Sequence, residues 1–201
     1  PCGTLFPYTT LFRSVSIFAA RTLKDSGRKP IIVSMGRGGP EEPVVLYPED
    51  KEVGPEYLLK IAQAGEHAAS DYWEDAAIAG VPAIGCSRCG GGIIGNPFAS
   101  NVKNSAEIAN TIKGDIVIVE GSGPTLPPVY TQKNIVTISA RIPIEQSTDF
   151  FGEYKVRMAD LVLITMCEPP SAGKNRINTI RKAVSSISPT VPIALTVFRP
   201  Q

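Results

Sequence analysis

Four short apolar runs, each breaking into a loop of glycine, proline or charge, limit what this chain can fold into. Residues 31–35 (IIVSM) run into GRGGPEEP, residues 80–85 (GVPAIG) into CSRCGGG, residues 115–119 (DIVIV) into EGSGP, and residues 160–165 (DLVLIT) into MCEPP. Apolar runs without alternation suit strands buried on both faces, as in a parallel sheet. Between them lie helical stretches over residues 15–26, 54–64, 66–79, 104–112 and 171–186, the first closed by Gly27 as a C-cap. Residues 44–47, 135–139 and 191–198 supply further strands. Strands alternating with helices predict βαβ units and an α/β fold, a mostly parallel sheet covered by helices on both faces. Ligands of such sheets sit at the carboxyl ends of the strands. Every unusual motif of this sequence falls there.

Composition narrows the function classes. A chain of 201 residues can bury a real core, and a net charge of +1 gives no basic footprint for nucleic acid. No apolar run approaches the roughly 20 residues that span a bilayer, and no signal-peptide pattern opens the chain. Four cysteines in a chain of this length do not form a secreted disulfide framework. The expectation is a soluble cytoplasmic protein with neither nucleic acid nor membrane as a partner.

The ends are unusual. Residues 4–14 (TLFPYTTLFRS) lack helical or strand periodicity and match the conceptual translation of a common short-read sequencing adapter. Residues 1–14 are therefore expected to be a disordered assembly artefact, with one partial α/β core domain over residues 15–201. The last strand has no helix after it, so the core is expected to be truncated.

The densest motif is the turn over residues 85–92, GCSRCGGG, with Asn101 just beyond. Gly90, Gly91 and Gly92 let the backbone approach a ligand closely, and bare amides beside Arg88 suit an anion. Gly36, Arg37, Gly38 and Gly39 form a second loop of the same kind. The C-x-x-C of Cys86 and Cys89 admits three readings: half of a zinc site, a redox pair, or packed thiols that shape an anion loop. His67, the only histidine, stands one helical turn from Asp71, whose carboxylate could orient the imidazole or share a metal with it. A solvated helix face explains the same spacing. Glu74 and Asp75 add negative charge there, which favours Mg²⁺. Glu120 follows a buried run and precedes Gly-Ser-Gly, a position from which a carboxylate can hold Mg²⁺ directly or through water. The phosphate-loop pattern G-x-x-x-x-G-K-[ST] does not occur in the sequence.

With these motifs the chain resembles the archaeal cyclic 2,3-diphosphoglycerate synthetases. The resemblance rests on residues 35–43 (MGRGGPEEP), 65–75 (GEHAASDYWED), 81–101 (VPAIGCSRCGGGIIGNPFASN), 119–128 (VEGSGPTLPP), and on ITMCEPP and TVFRP near the end. It implies a P-loop NTPase-like, dethiobiotin synthetase-like core and an ATP-dependent, Mg²⁺-requiring ligase. That ligase closes 2,3-diphosphoglycerate into an intramolecular phosphoanhydride and releases ADP and phosphate. ATP and the polyanionic substrate are then the small-molecule partners, and the full-length enzyme is expected to be a homodimer. Carried onto this sequence, the chemistry assigns Gly36, Arg37, Gly38, Gly39, Arg88, Gly90, Gly91, Gly92 and Asn101 to phosphates. It assigns His67 and Asp71 to substrate orientation or proton transfer, Arg88 to catalysis as well, and Glu120, with Asp75 more weakly, to Mg²⁺. A related P-loop ligase or GTPase, and a zinc-stabilised binding module, are the competing readings.

Overall fold

The computed structural model describes residues 6–36, 38–49, 55–65, 70–89, 98–121 and 126–197. The chain divides into two compact units, Pro1–Tyr130 and Thr131–Gln201.

The first unit contains helices α1 (Phe6–Asp25), α2 (Pro55–Gln63), α3 (Ser70–Ala79) and α4 (Val102–Thr111). Its strands are β1 (Pro30–Gly36), β2 (Val44–Leu46), β3 (Ala83–Cys89), β4 (Ala99–Ser100) and β5 (Ile116–Gly121). The strand order is β2-β3-β1-β5, with β4 pairing β3 outside that path. β1 runs parallel to both β3 and β5, while β2 and β4 are antiparallel to β3. The chain goes from β1 to β3 on one side and then crosses to β5 on the other. Beside β1 the connections therefore reverse direction, which opens a crevice at the strands' carboxyl ends.

Alternation sorts the strand side chains onto two faces. Ile32 and Ala83 pack with Ile17 and Ala20 of α1, Ile61 of α2, and Tyr72, Trp73 and Ala76 of α3. Tyr57 of α2 rests on Trp73, with ring centroids 4.8 Å apart. On the other face Ile31, Val33, Ile84 and Cys86 pack with Val102 and Ala109 of α4. Both faces of the sheet are thus covered, which explains the unbroken apolar runs.

α1 and β3 depart from expectation. α1 begins at Phe6 rather than near Val15, so its first turns fall in the segment expected to be disordered. Pro7 sits in the first turn, where its missing N–H costs nothing. Arg13 fixes the helix by bonding Asp71 and Glu74 of α3, each at 2.6 Å. The stretch read as a turn from Gly85 is, as far as Cys89, part of β3. Cys86 pairs with Met35, Ser87 with Gly36, and Arg88 and Cys89 with Ser100 and Ala99. Backbone partners on both sides hold extended what composition alone assigns to a turn. No helix among the described residues is long and apolar enough to cross a membrane.

The second unit is a parallel sheet of order β6-β7-β8, formed by Ile135–Ser139, Leu161–Thr165 and Ile193–Leu195. Val156 of α6 (Phe150–Met158) and Ile177, Ile180 and Val184 of α7 (Lys174–Ile187) pack on Val162 and Ile164. α6 follows the short α5 (Glu145–Thr148) and was not anticipated from sequence. Gly152 lies within it because a Cβ there would overlap the Ser147 carbonyl.

Candidate functional site

The site forms where the connections reverse, at the carboxyl ends of β1, β3 and β5. After β1 the chain turns through Gly36, Gly38 and Gly39 and settles on the backbone of β3. A Cβ at Gly39 would overlap the Cys86 carbonyl, so only glycine permits this approach. Asn101 holds the same loop. Its Nδ2 donates to the carbonyls of Pro40 (3.0 Å) and Glu41 (2.8 Å), and its Oδ1 accepts from the Ser87 N–H at 2.7 Å. The carboxamide expected to touch phosphate is thus engaged with backbone and shapes the loop.

Beside the loop lies a cavity of about 190 Å³ lined by Ser34, Gly36, Gly38, Gly39, Asp71, Tyr72 and Cys86. Gly85 admits the Tyr72 ring against β3, since a Cβ there would overlap it. Of the residues expected to bind phosphate or orient substrate, Gly36, Gly38, Gly39 and Asp71 therefore meet in one place. Asp71 does so already paired with Arg13. His67, Arg37 and Gly90, Gly91 and Gly92 lie outside the described residues.

Beside the cavity stand two carboxyl groups. Ser34 interrupts the apolar run of β1 and donates its hydroxyl to Glu120 Oε1 at 2.5 Å. Asp75 is fully buried, and neither of its oxygens has a hydrogen-bond partner. Burial, reinforced by the charge of Glu120, pushes the Asp75 carboxyl up to about 8, and the Arg13 charge and the nearby Ser34 hydroxyl only partly oppose this. Burial likewise raises Glu120, against the Ser34 hydrogen bond and Arg13. Arg13 is itself opposed by burial, but the charges of Asp71 and Glu74 hold it firmly protonated. Ser34 and Arg13 were not anticipated as site residues. A lone hydroxyl inside a buried run was the signal for the first, while the second stood in a segment excluded from the fold.

Among the described residues no three metal-ligating side chains converge. Mg²⁺ needs fewer, because it keeps waters and takes one or two carboxylates plus phosphate oxygens. Glu120 and the unpartnered Asp75 oxygens are suitable hard donors for that use. A soft-metal site at C-x-x-C is ruled out by the strand. Cys86 and Cys89, three residues apart on β3, point to opposite faces. Cys86 is buried, with its Sγ donating to the Ser34 carbonyl at 3.3 Å, and burial pushes its thiol up to about 11. Cys89 is exposed. Of the two thiols expected to be packed, only Cys86 is.

The family profile described as cyclic 2,3-diphosphoglycerate synthetase, P-loop domain, matches residues 12–197. The chain belongs to the cyclic 2,3-diphosphoglycerate synthetase family. Curated relatives of that name come from Methanothermus fervidus (46% identical over 94% of this chain) and Methanothermobacter thermautotrophicus (44% over 94%). A third, from Thermococcus sibiricus, is 45% identical over 94% of this chain. The chain spans about two-fifths of their length, 41%, 40% and 43% respectively. The profile match takes in Phe12, Arg13 and Ser14, so it includes the arginine that ties α1 to α3.

Proposed function

We propose that this chain is the P-loop domain of an ATP-dependent ligase that closes 2,3-diphosphoglycerate into its cyclic phosphoanhydride. The observation that supports this most is the family match over nearly the whole chain, together with relatives named for that synthetase. The geometry agrees with it: a glycine loop pressed on the end of β3 and two carboxyl groups at the adjoining strand ends.

The reaction joins two phosphate groups of one small polyanion, so the site must relieve their repulsion and position an activated phosphoryl group. In this reading the amides of Gly36, Gly38 and Gly39, with Arg37 and Gly90 to Gly92, receive phosphate oxygens. Glu120 and Asp75 hold Mg²⁺, which supplies charge stabilisation at the phosphates when bound. Ser34 fixes the Glu120 carboxylate, and Asn101 fixes the loop. Asp71, with His67, orients substrate or moves a proton. The reaction takes place in the cytoplasm, and the full-length enzyme acts as a homodimer. Phosphorus NMR of the full-length protein with ATP, Mg²⁺ and 2,3-diphosphoglycerate tests the reading through the appearance of a ring anhydride.

A further inference from the structure

The near-neutral total charge conceals a separation of charge along the chain. Residues 1–130 hold eleven Lys and Arg against fourteen Asp and Glu, and residues 131–201 hold nine against five. In the second unit the positive charge gathers on α7. Ile177, Ile180 and Val184 bury one side of that helix, while Lys174, Arg181 and Lys182 stand exposed. Arg176 is engaged by the carbonyls of Ala140 and Ile142. None of the three exposed cations forms an ion pair among the described residues. Other helices of this chain carry their own counter-charges: α4 pairs Lys103 with Glu107, and α6 pairs Arg157 with Glu153. On α7 the positions one turn away hold Asn178, Ser185 and Ser186, and residues 169–201 contain neither Asp nor Glu. Lys174 also lies in the first turn, where the helix dipole opposes a cation.

The complementary surface lies in the first unit, along the edge of its sheet. β2 pairs with β3 alone, so its other side is open. Glu41 and Glu42 precede this edge strand and Glu49 follows it, all three exposed. Their carboxylates form no ion pair among the described residues. Residues 38–50 contain neither Lys nor Arg. Tyr47, also exposed, stands between the two acidic positions.

We infer that the exposed face of α7 docks on the β2 edge of a second copy of this chain. The inference rests on the homodimer of the function proposed above and on no other part of that reading. A basic helix face without acids and a sheet edge without cations attract each other and repel their own kind, which fixes the pairing. A two-fold dimer makes the contact twice, once in each direction. All six charges are exposed, so salt screens the attraction.

Sedimentation velocity of the chain over a range of concentrations, at low and high salt, tests this. The wild type is expected to dimerise at low salt and to dissociate as salt is added. Two charge reversals probe the surfaces separately: Arg181→Glu with Lys182→Glu, and Glu42→Lys with Glu49→Lys. Each is expected to weaken self-association more than about tenfold. Mixing the two variants is expected to restore the dimer, because each reversed surface then meets its opposite. A fold damaged by substitution would not recover on mixing. A wild type that stays monomeric at every concentration overturns the surface together with a homodimer built on this domain. A dimer indifferent to salt, variants that associate like wild type, or a mixture that stays dissociated leaves the homodimer standing and overturns this surface.

Discussion

At the residue scale, Asp75 carries the sharpest consequence. Its pKa rises from 3.8 unfolded to about 8 folded, so between these values the folded chain holds a proton that the unfolded chain has lost. Its contribution to stability is full below the lower value and is lost as pH rises through the upper one. Urea unfolding across pH 4 to 8 is therefore expected to show stability falling with pH, and Asp75→Asn is expected to flatten that fall. Equal slopes in the two proteins would refute the assignment. Gly39 gives a second consequence. Gly39→Ala forces a methyl into the Cys86 carbonyl and is expected to cost about 1–3 kcal/mol or more. It should also loosen the loop beside the cavity, which chemical denaturation and hydrogen exchange of the loop amides would report. Several of these roles were legible in the sequence. Glu120 announced itself as a charge ending a buried run, and the glycines of residues 36–39 announced a close approach. Asn101 was legible as important but not in its role, because its backbone partners at Pro40 and Glu41 stand some sixty residues away.

At the scale of elements, local pattern located the strands well and their ends poorly. β1 and β7 were visible as largely buried apolar runs, and β5 as an apolar run although it is an edge strand with Val117 exposed. β3 was cut short in the sequence reading, since Gly85, Cys86 and Ser87 are extended only because β1 lies beside them. The same kind of long-range contact governs α1. Its side chain at position 13 has no meaning along the helix, yet it joins two carboxylates of α3. Arg13→Ala is expected to lower stability by about 1–2 kcal/mol, less at high salt because Asp71 and Glu74 are partly exposed. Melting temperatures of wild type and variant at low and high salt check this. A variant as stable as wild type at low salt would show that α1 is held by its apolar face alone.

At the scale of the whole molecule, the carboxyl ends of β1, β3 and β5 lie together in the first unit, whose connections reverse beside β1, while the motif after β7 belongs to the second unit. Parallel strands place every carboxyl end on the same side, so loops distant in sequence become neighbours at one edge. That much followed from alternating strands and helices. The division into two compact units did not, since both contain similar strands and helices and nothing in composition separates them at Tyr130. The relatives named for the synthetase are more than twice as long as this chain.

The most direct measurement follows the phosphorus resonances of that full-length protein during incubation with ATP, Mg²⁺ and 2,3-diphosphoglycerate. In the wild type the two phosphomonoester signals are expected to give way to a coupled pair of anhydride signals as ADP and phosphate appear. Glu120→Gln is expected to slow that conversion more than about tenfold. Consumption of ATP with both monoester signals unchanged would contradict it.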